Sequence, residues 1–121
     1  MKKAEIQAAT TIIAAETLLW EFDVQNYNTL TIYFDYVLGD EDYYDLIPKF
    51  LRIPDGDEHQ LTDWSTDANA VPTIKQFRLA GSIKSYIVLD VTGLNRIRLY
   101  GDATGGTPTG TIQLGFGVSS E

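Results

Sequence analysis

Leu30-Thr31-Ile32-Tyr33-Phe34-Asp35-Tyr36 is the stretch on which the reading of the fold turns. Leu30, Ile32, Phe34 and Tyr36 fall on one side of an extended chain and Thr31, Tyr33 and Asp35 on the other, because successive strand side chains point to opposite faces. Just upstream, Trp20, Phe22 and Val24 alternate with Leu19, Glu21 and Asp23, which predicts a strand over residues 18–24. The link Gln25-Asn26-Tyr27-Asn28 has the polar chemistry of a turn, so these two strands form a hairpin or a sandwich corner. Farther out, Thr10-Thr11-Ile12-Ile13 favours a strand through its β-branched side chains while the alanines around it favour helix. A strand over residues 6–13 is expected, with residues 1–5 as a flexible arm that could dock as an added strand on a neighbour.

Downstream, Gly39-Asp40-Glu41-Asp42 is a loop signal, followed by the apolar stretch Tyr43 to Ile53. Pro48 cannot donate to a ladder, so that strand should be bent or lie at an edge. Pro54 to Ala70 holds turn formers, acids and the apolar anchors Leu61 and Trp64, and reads as a long loop with a short strand near Gln60 to Trp64. Thr73 to Leu79 and Ser82 to Val91 flank Ala80-Gly81 and suggest a tight hairpin. After the turn Thr92-Gly93-Leu94-Asn95 come a strand over 96–101, with Ile97 and Leu99 inward, and a last strand over 111–118. In that last strand Gly115 and Gly117 mark a place where another backbone or side chain comes close. About eight strands and no amphipathic helix predict a single all-β domain over 1–121, an antiparallel β-sandwich of jelly-roll or immunoglobulin-like topology.

Composition agrees with one folded domain: 121 residues, 44% hydrophobic and 21% charged. With no cysteine, disulfides, thiolate metal sites and cysteine nucleophiles are excluded. Glu5, Gln7, Thr10, Thr11 and Glu16 interrupt any secretory h-region, so residues 1–20 read as mature protein, and no apolar run reaches membrane-spanning length. The chain is expected to be soluble, with no membrane partner. Between Asp35 and Asp67, eight Asp and two Glu face only Lys49 and Arg52, which accounts for the whole net charge of −8. Such a surface repels phosphate backbones, and nucleic acid is set aside as a partner. The acidic window is a solvated face, one that meets a basic partner, or one that meets a divalent cation.

Chemistry-bearing motifs are absent or incomplete. The single histidine, His59, sits among Asp55, Asp57 and Glu58 with no serine in a nucleophile-elbow context. Gly101-Asp102-Ala103-Thr104-Gly105-Gly106-Thr107 has the outer glycine spacing of a phosphate loop, but Thr107 replaces the lysine and a strand follows. The acids Asp40, Glu41, Asp42 and Asp45, and likewise Asp55, Asp57 and Glu58, do not match EF-hand spacing. No catalytic residue, cofactor or metal ligand is therefore assigned, and a hydrolase is the least favoured function. Tyr33, Tyr43, Tyr44, Trp64, Tyr86 and Tyr100 are the candidate interface residues, since outward aromatics bring large apolar area with a polar tip. Cross-strand aromatic pairing is the structural alternative.

Phe22-Asp23-Val24 with Tyr27, the Leu30 to Tyr36 strand, Gly39-Asp40-Glu41, and Arg98 ahead of Ala103-Thr104-Gly105-Gly106-Thr107-Pro108-Thr109-Gly110-Thr111 together resemble a group of small virion structural proteins of tailed bacteriophages. The resemblance runs from Trp20 onward, and the acidic, tyrosine-rich stretch Asp40 to Asp45 and the long loop through Asp67 depart from it. It implies a non-enzymatic β-sandwich subunit of the particle, assembled in the host cytoplasm. The role implied is a head decoration or cement protein on the capsid surface, with the major capsid protein or other virion subunits as partners and a homo-oligomeric state. A neck or tail component is the close variant. A carbohydrate-binding or host-attachment module is the competing expectation, and it rests on the tyrosines.

Overall fold

The computed structural model describes residues 2–53, 56–60 and 77–120. Its strands are β1 (Lys2–Ile6), β2 (Thr10–Thr11), β3 (Thr17–Asp23), β4 (Thr29–Val37), β5 (Tyr43–Leu51), β6 (His59–Gln60), β7 (Phe77–Leu79), β8 (Ile83–Asp90), β9 (Arg96–Thr104) and β10 (Thr111–Ser119), and no helix occurs among the described residues. All pairings are antiparallel. One sheet has the order β1-β10-β4-β8 with β2 also on β10, and the other the order β3-β9-β5 with β6 and β7 both on the far edge of β5.

The chain changes sheet at every connection from β2 onward except along β5, β6 and β7. Such alternation brings β4 beside β8 and β3 beside β9, strands far apart in sequence, which is the double Greek key of a jelly roll; an immunoglobulin sandwich keeps consecutive hairpin strands within one sheet. The alternative left open by periodicity is decided for the jelly roll. The expected hairpin around Ala80-Gly81 is corrected for the same reason: Leu79 ends a strand on β5 and Ile83 begins one on β4, so the turn is a corner between sheets.

The apolar stripes meet between the sheets. Phe22, Leu30, Ile32, Tyr36, Leu46, Leu99 and Ile112 are buried, and Trp20, Phe22 and Phe116 form an aromatic cluster with ring centroids 4.8–5.1 Å apart. Each fully buried large side chain contributes roughly 1.5–3 kcal/mol by leaving water.

Two expectations for the edges also change. Of the arm expected over 1–5, residues 2–5 are not free: Lys2–Ile6 pairs with β10, while of the strand expected over 6–13 only Ile6 and Thr10–Thr11 lie in strands. Gly115 makes this approach possible, because a side chain there would press on the Glu5 carbonyl at 3.2 Å. Nor is β5 an edge: it lies between β9 and the short strands β6 and β7. Tyr44 to Leu46 pair with β7 and Lys49 to Phe50 with β6, so the buried Pro48 falls in the gap between them.

At one end of the sandwich the chain uses the same corner twice, as Asp23-Val24-Gln25-Asn26-Tyr27-Asn28 and Asp90-Val91-Thr92-Gly93-Leu94-Asn95. In each, the Asp carboxylate accepts a hydrogen bond from the N–H two residues on, and the fifth residue's N–H donates to the Val carbonyl at 3.0 Å. The fourth residue of each has positive φ, Asn26 at 70° and Gly93 at 80°. The corners also bind each other, Val24 N–H to the Asn95 carbonyl (3.0 Å) and Val91 N–H to the Asn28 carbonyl (2.9 Å). We expect Gly93→Val, which forces a β-branched residue into that conformation, to cost about 1–3 kcal/mol in urea unfolding. Gly101→Ala is expected to cost a similar amount, because the added methyl would overlap the phenol of Tyr44.

Candidate functional site

The two outer faces of the sandwich differ in kind. On the sheet containing β3, β9 and β5, the exposed side is laced with ion pairs. Arg98 bonds Glu21 at 3.0 Å, Lys49 meets Glu16 at 2.7 Å, and Arg78 grips Asp45 through two hydrogen bonds of 2.9 and 3.0 Å. Tyr43 and Tyr100 belong to this face, but each is covered by a cation, Arg78 at 3.8 Å and Lys49 at 4.5 Å from the ring centroid. The Tyr100 hydroxyl also donates to Glu58 at 2.6 Å, and burial together with that carboxylate raises its pKa.

The outer face of the other sheet is apolar at its centre. Register places Ile6, Gly115, Tyr33 and Tyr86 in one row across β1, β10, β4 and β8, and Gly117, Thr31 and Val88 in the next. Ile6 is 74% exposed, Tyr33 52%, Tyr86 62% and Val88 56%. With glycine on β10, a groove of about 420 Å³ opens between Ile6 and the tyrosine pair, whose rings are 6.1 Å apart, and Asp35, Lys84, Ser85 and Gln113 rim it.

Of the six aromatic candidates, the structure brings two together at this groove, Tyr33 and Tyr86. Tyr43 and Tyr100 stand on the opposite face. Tyr44 is corrected outright: it is 1% exposed, stacks on Tyr36 with centroids 5.8 Å apart, and belongs to the core. The β5 register explains this, since Tyr44 shares its inward face with Leu46. Trp64, and with it the strand expected near Gln60 to Trp64 beyond Gln60, lies outside the described residues.

The acidic cluster resolves into separate partners. Asp45 is held by Arg78, the Asp42 carboxylate lies against Gly105, and Glu41, 4% exposed, is turned inward. Glu41 accepts hydrogen bonds from the Tyr36 hydroxyl (2.5 Å) and from the N–H groups of Gly39 (2.8 Å), Gly110 (3.0 Å) and Thr109 (3.1 Å). It thereby ties the β4–β5 loop to the β9–β10 loop at the end opposite the paired corners. Burial alone would raise its pKa, but the Gly39, Tyr36 and Gly110 donors outweigh that and hold the carboxyl at about 2. Burial, then the Glu41 hydrogen bond and charge, push the Tyr36 phenol up. Sequence reading treated Glu41 as one acid among several; the Gly-rich 105–110 connector that supplies its donors was the signal available. His59 stacks on Phe50 at 5.7 Å, in β6 against β5. The described residues hold no group of three or more His, Asp or Glu placed to share a metal ion.

No protein-family model and no curated protein matches the chain. Among solved structures, the SPBc2 prophage-derived protein YomS aligns over 98% of this chain and 92% of its own, at 14% identity and a TM-score of 0.59. A Bacillus endospore appendage subunit, from disulfide-linked pili, aligns over 100% of this chain and 88% of its own, at 7% identity and a TM-score of 0.55. The chain thus shares its fold with a prophage-derived protein and with a fibre-forming one.

The Glu41 clamp yields a pH prediction. Its folded pKa lies below the ordinary 4.5, so its stabilisation is complete above about pH 4.5 and is lost as pH falls towards 2. Glu41→Gln should lower stability at pH 7 by about 2–3 kcal/mol, and that gap should shrink by more than half at pH 3. Denaturant unfolding at both pH values measures it; an equal gap at both would remove the carboxylate from this role.

Proposed function

We propose that this chain is a non-enzymatic structural subunit of a tailed-phage particle, acting as a capsid decoration or cement protein. It would bind the major capsid protein or other virion subunits through the outer face of the β1-β10-β4-β8 sheet. The observation that carries the reading is the asymmetry of the two outer faces. One pairs Glu16, Glu21 and Asp45 with Lys49, Arg98 and Arg78, while the other exposes Ile6, Tyr33, Tyr86 and Val88 around a glycine trough. Clustered aromatic and aliphatic side chains with a polar rim are the composition of contact surfaces. Resemblance to phage virion proteins and the fold shared with YomS support placing that contact in a particle.

Such a role needs no covalent chemistry. A subunit that buries area on two neighbours adds its own interface to the cost of separating them, and many copies on a symmetric lattice supply avidity. The chain's net charge of −8, carried by the stretch from Asp35 to Asp67, would steer it towards a basic shell patch and away from nucleic acid.

Counting copies of this chain in purified particles from cells that encode it tests the proposal. A number comparable with the main shell protein is expected, a handful would move the chain to neck, tail or fibre, and absence would overturn the reading. Tyr33→Ser with Tyr86→Ser should reduce particle binding at least about tenfold without lowering stability, because both side chains are exposed. A second reading has one observation in its favour: the same tyrosines stand beside Asp35, Lys84 and Gln113, a platform suited to a sugar face. Chemical-shift changes confined to these residues on adding oligosaccharides would select it.

A further inference from the structure

Strand β8 forms one edge of the sheet that carries the groove, and among the described strands it pairs with β4 alone. Its register to β4 runs unbroken from Ile83 opposite Tyr36 to Asp90 opposite Thr29, with neither bulge nor proline. Edges of this length are normally blunted by bulges, prolines or several lysines, and this one has Lys84 only. The Val91 N–H bonds the Asn28 carbonyl. Backbone groups alternate sides along a strand, so the N–H and C=O of Lys84, Tyr86, Val88 and Asp90 point away from β4, and no described strand meets them.

We propose that β8 pairs antiparallel with β8 of a second copy, about a two-fold axis through Ile87. Side-chain complementarity picks both the occupant and the register. Opposed residues in an antiparallel pair share a face, so only registers that set outer residues against outer residues keep the two cores on the same side. Centred on Ile87, the pairing sets Lys84 opposite Asp90 of the second copy and Tyr86 opposite Val88 of the second copy, and symmetry repeats each pair. Centred on Tyr86, it would set Lys84 against Val88; centred on Val88, Tyr86 would face Asp90. Lys84 is available for the new partner, with 84% of its side chain exposed and Asp35 no nearer than 3.8 Å.

The same register carries the row Ile6, Gly115, Tyr33 and Tyr86 on into Val88 and Thr31 of the second copy, so two apolar strips become one surface across a continuous sheet. The interface is isologous and closes at two copies. It goes beyond the particle role and is separable from it, since the purified chain alone should dimerise.

Sedimentation velocity from micromolar to millimolar concentration tests it, with a reversible monomer–dimer equilibrium expected. Lys84→Asp should weaken the dimer about tenfold or more, and adding Asp90→Lys should restore it, because the swapped charges again face each other. Asp90 also accepts the Thr92 N–H, so thermal melts accompany these variants. Val88→Pro provides an independent arm: it deletes only an outward N–H and should abolish the dimer while the monomer keeps its circular dichroism. A chain monomeric at millimolar concentration, a charge swap that fails to restore pairing, or growth into open ladders instead of dimers would each overturn the proposal.

Discussion

The two sheets are registered against each other by a repeated corner. Val24 and Val91 are both fully buried, each corner closes on itself through an Asp side chain, and each donates a backbone hydrogen bond to the other. Four long strands leave from this reciprocal contact, β3 and β4 from one corner and β8 and β9 from the other. Because the corners fix where these strands begin, they fix which side chains face inward, and a slip of one residue would turn every stripe outward. Asn95 adds the end of β5 through the Leu51 carbonyl, and Asn28 adds the end of β10 through Ser119.

The opposite end is held by a different device. There the β9–β10 connection carries three glycines, and a single buried carboxylate gathers donors from two loops and from Tyr36. A charge in such a place is tolerated because its lone pairs are met by hydrogen bonds, three of them from backbone that would otherwise need water. The sandwich is therefore backbone-locked at one end and side-chain-locked at the other, with the aromatic cluster of Trp20, Phe22 and Phe116 in the layer between.

Rigidity of this kind would suit the contact role proposed for the chain. The charged face holds Glu16, Glu21 and Asp45 in ion pairs of its own, and such exposed pairs contribute little. The apolar face keeps large side chains in water beside a strand, β10, that carries Gly115 and Gly117. Removing that area from solvent is the favourable change still open to the folded chain. Its placement on one face, reaching the β8 edge, would give the proposed assembly a direction.

Much of this was written in the order of residues. Period-two alternation in Leu30 to Tyr36, Ile97 to Leu99 and Ile112 to Val118 determined the inward faces, because a strand's side-chain geometry is local. Composition likewise determined the absence of thiol chemistry and the location of the net charge. Other features were decided only by pairing across long separations. Tyr43 and Tyr44 are neighbours of one type, yet one is half-covered by Arg78 and the other is core, and only the β5–β9 register separates them. Ala80-Gly81 looks like a hairpin turn locally and is a corner because β4, far upstream, takes β8 as its partner. Glu41 is one acid of four in the sequence and the keystone of one end in space, since its donors lie on a connector almost 70 residues away. Local pattern settles which way a residue faces; what it faces depends on which strands lie side by side, and that is settled by the jelly-roll path of the whole chain.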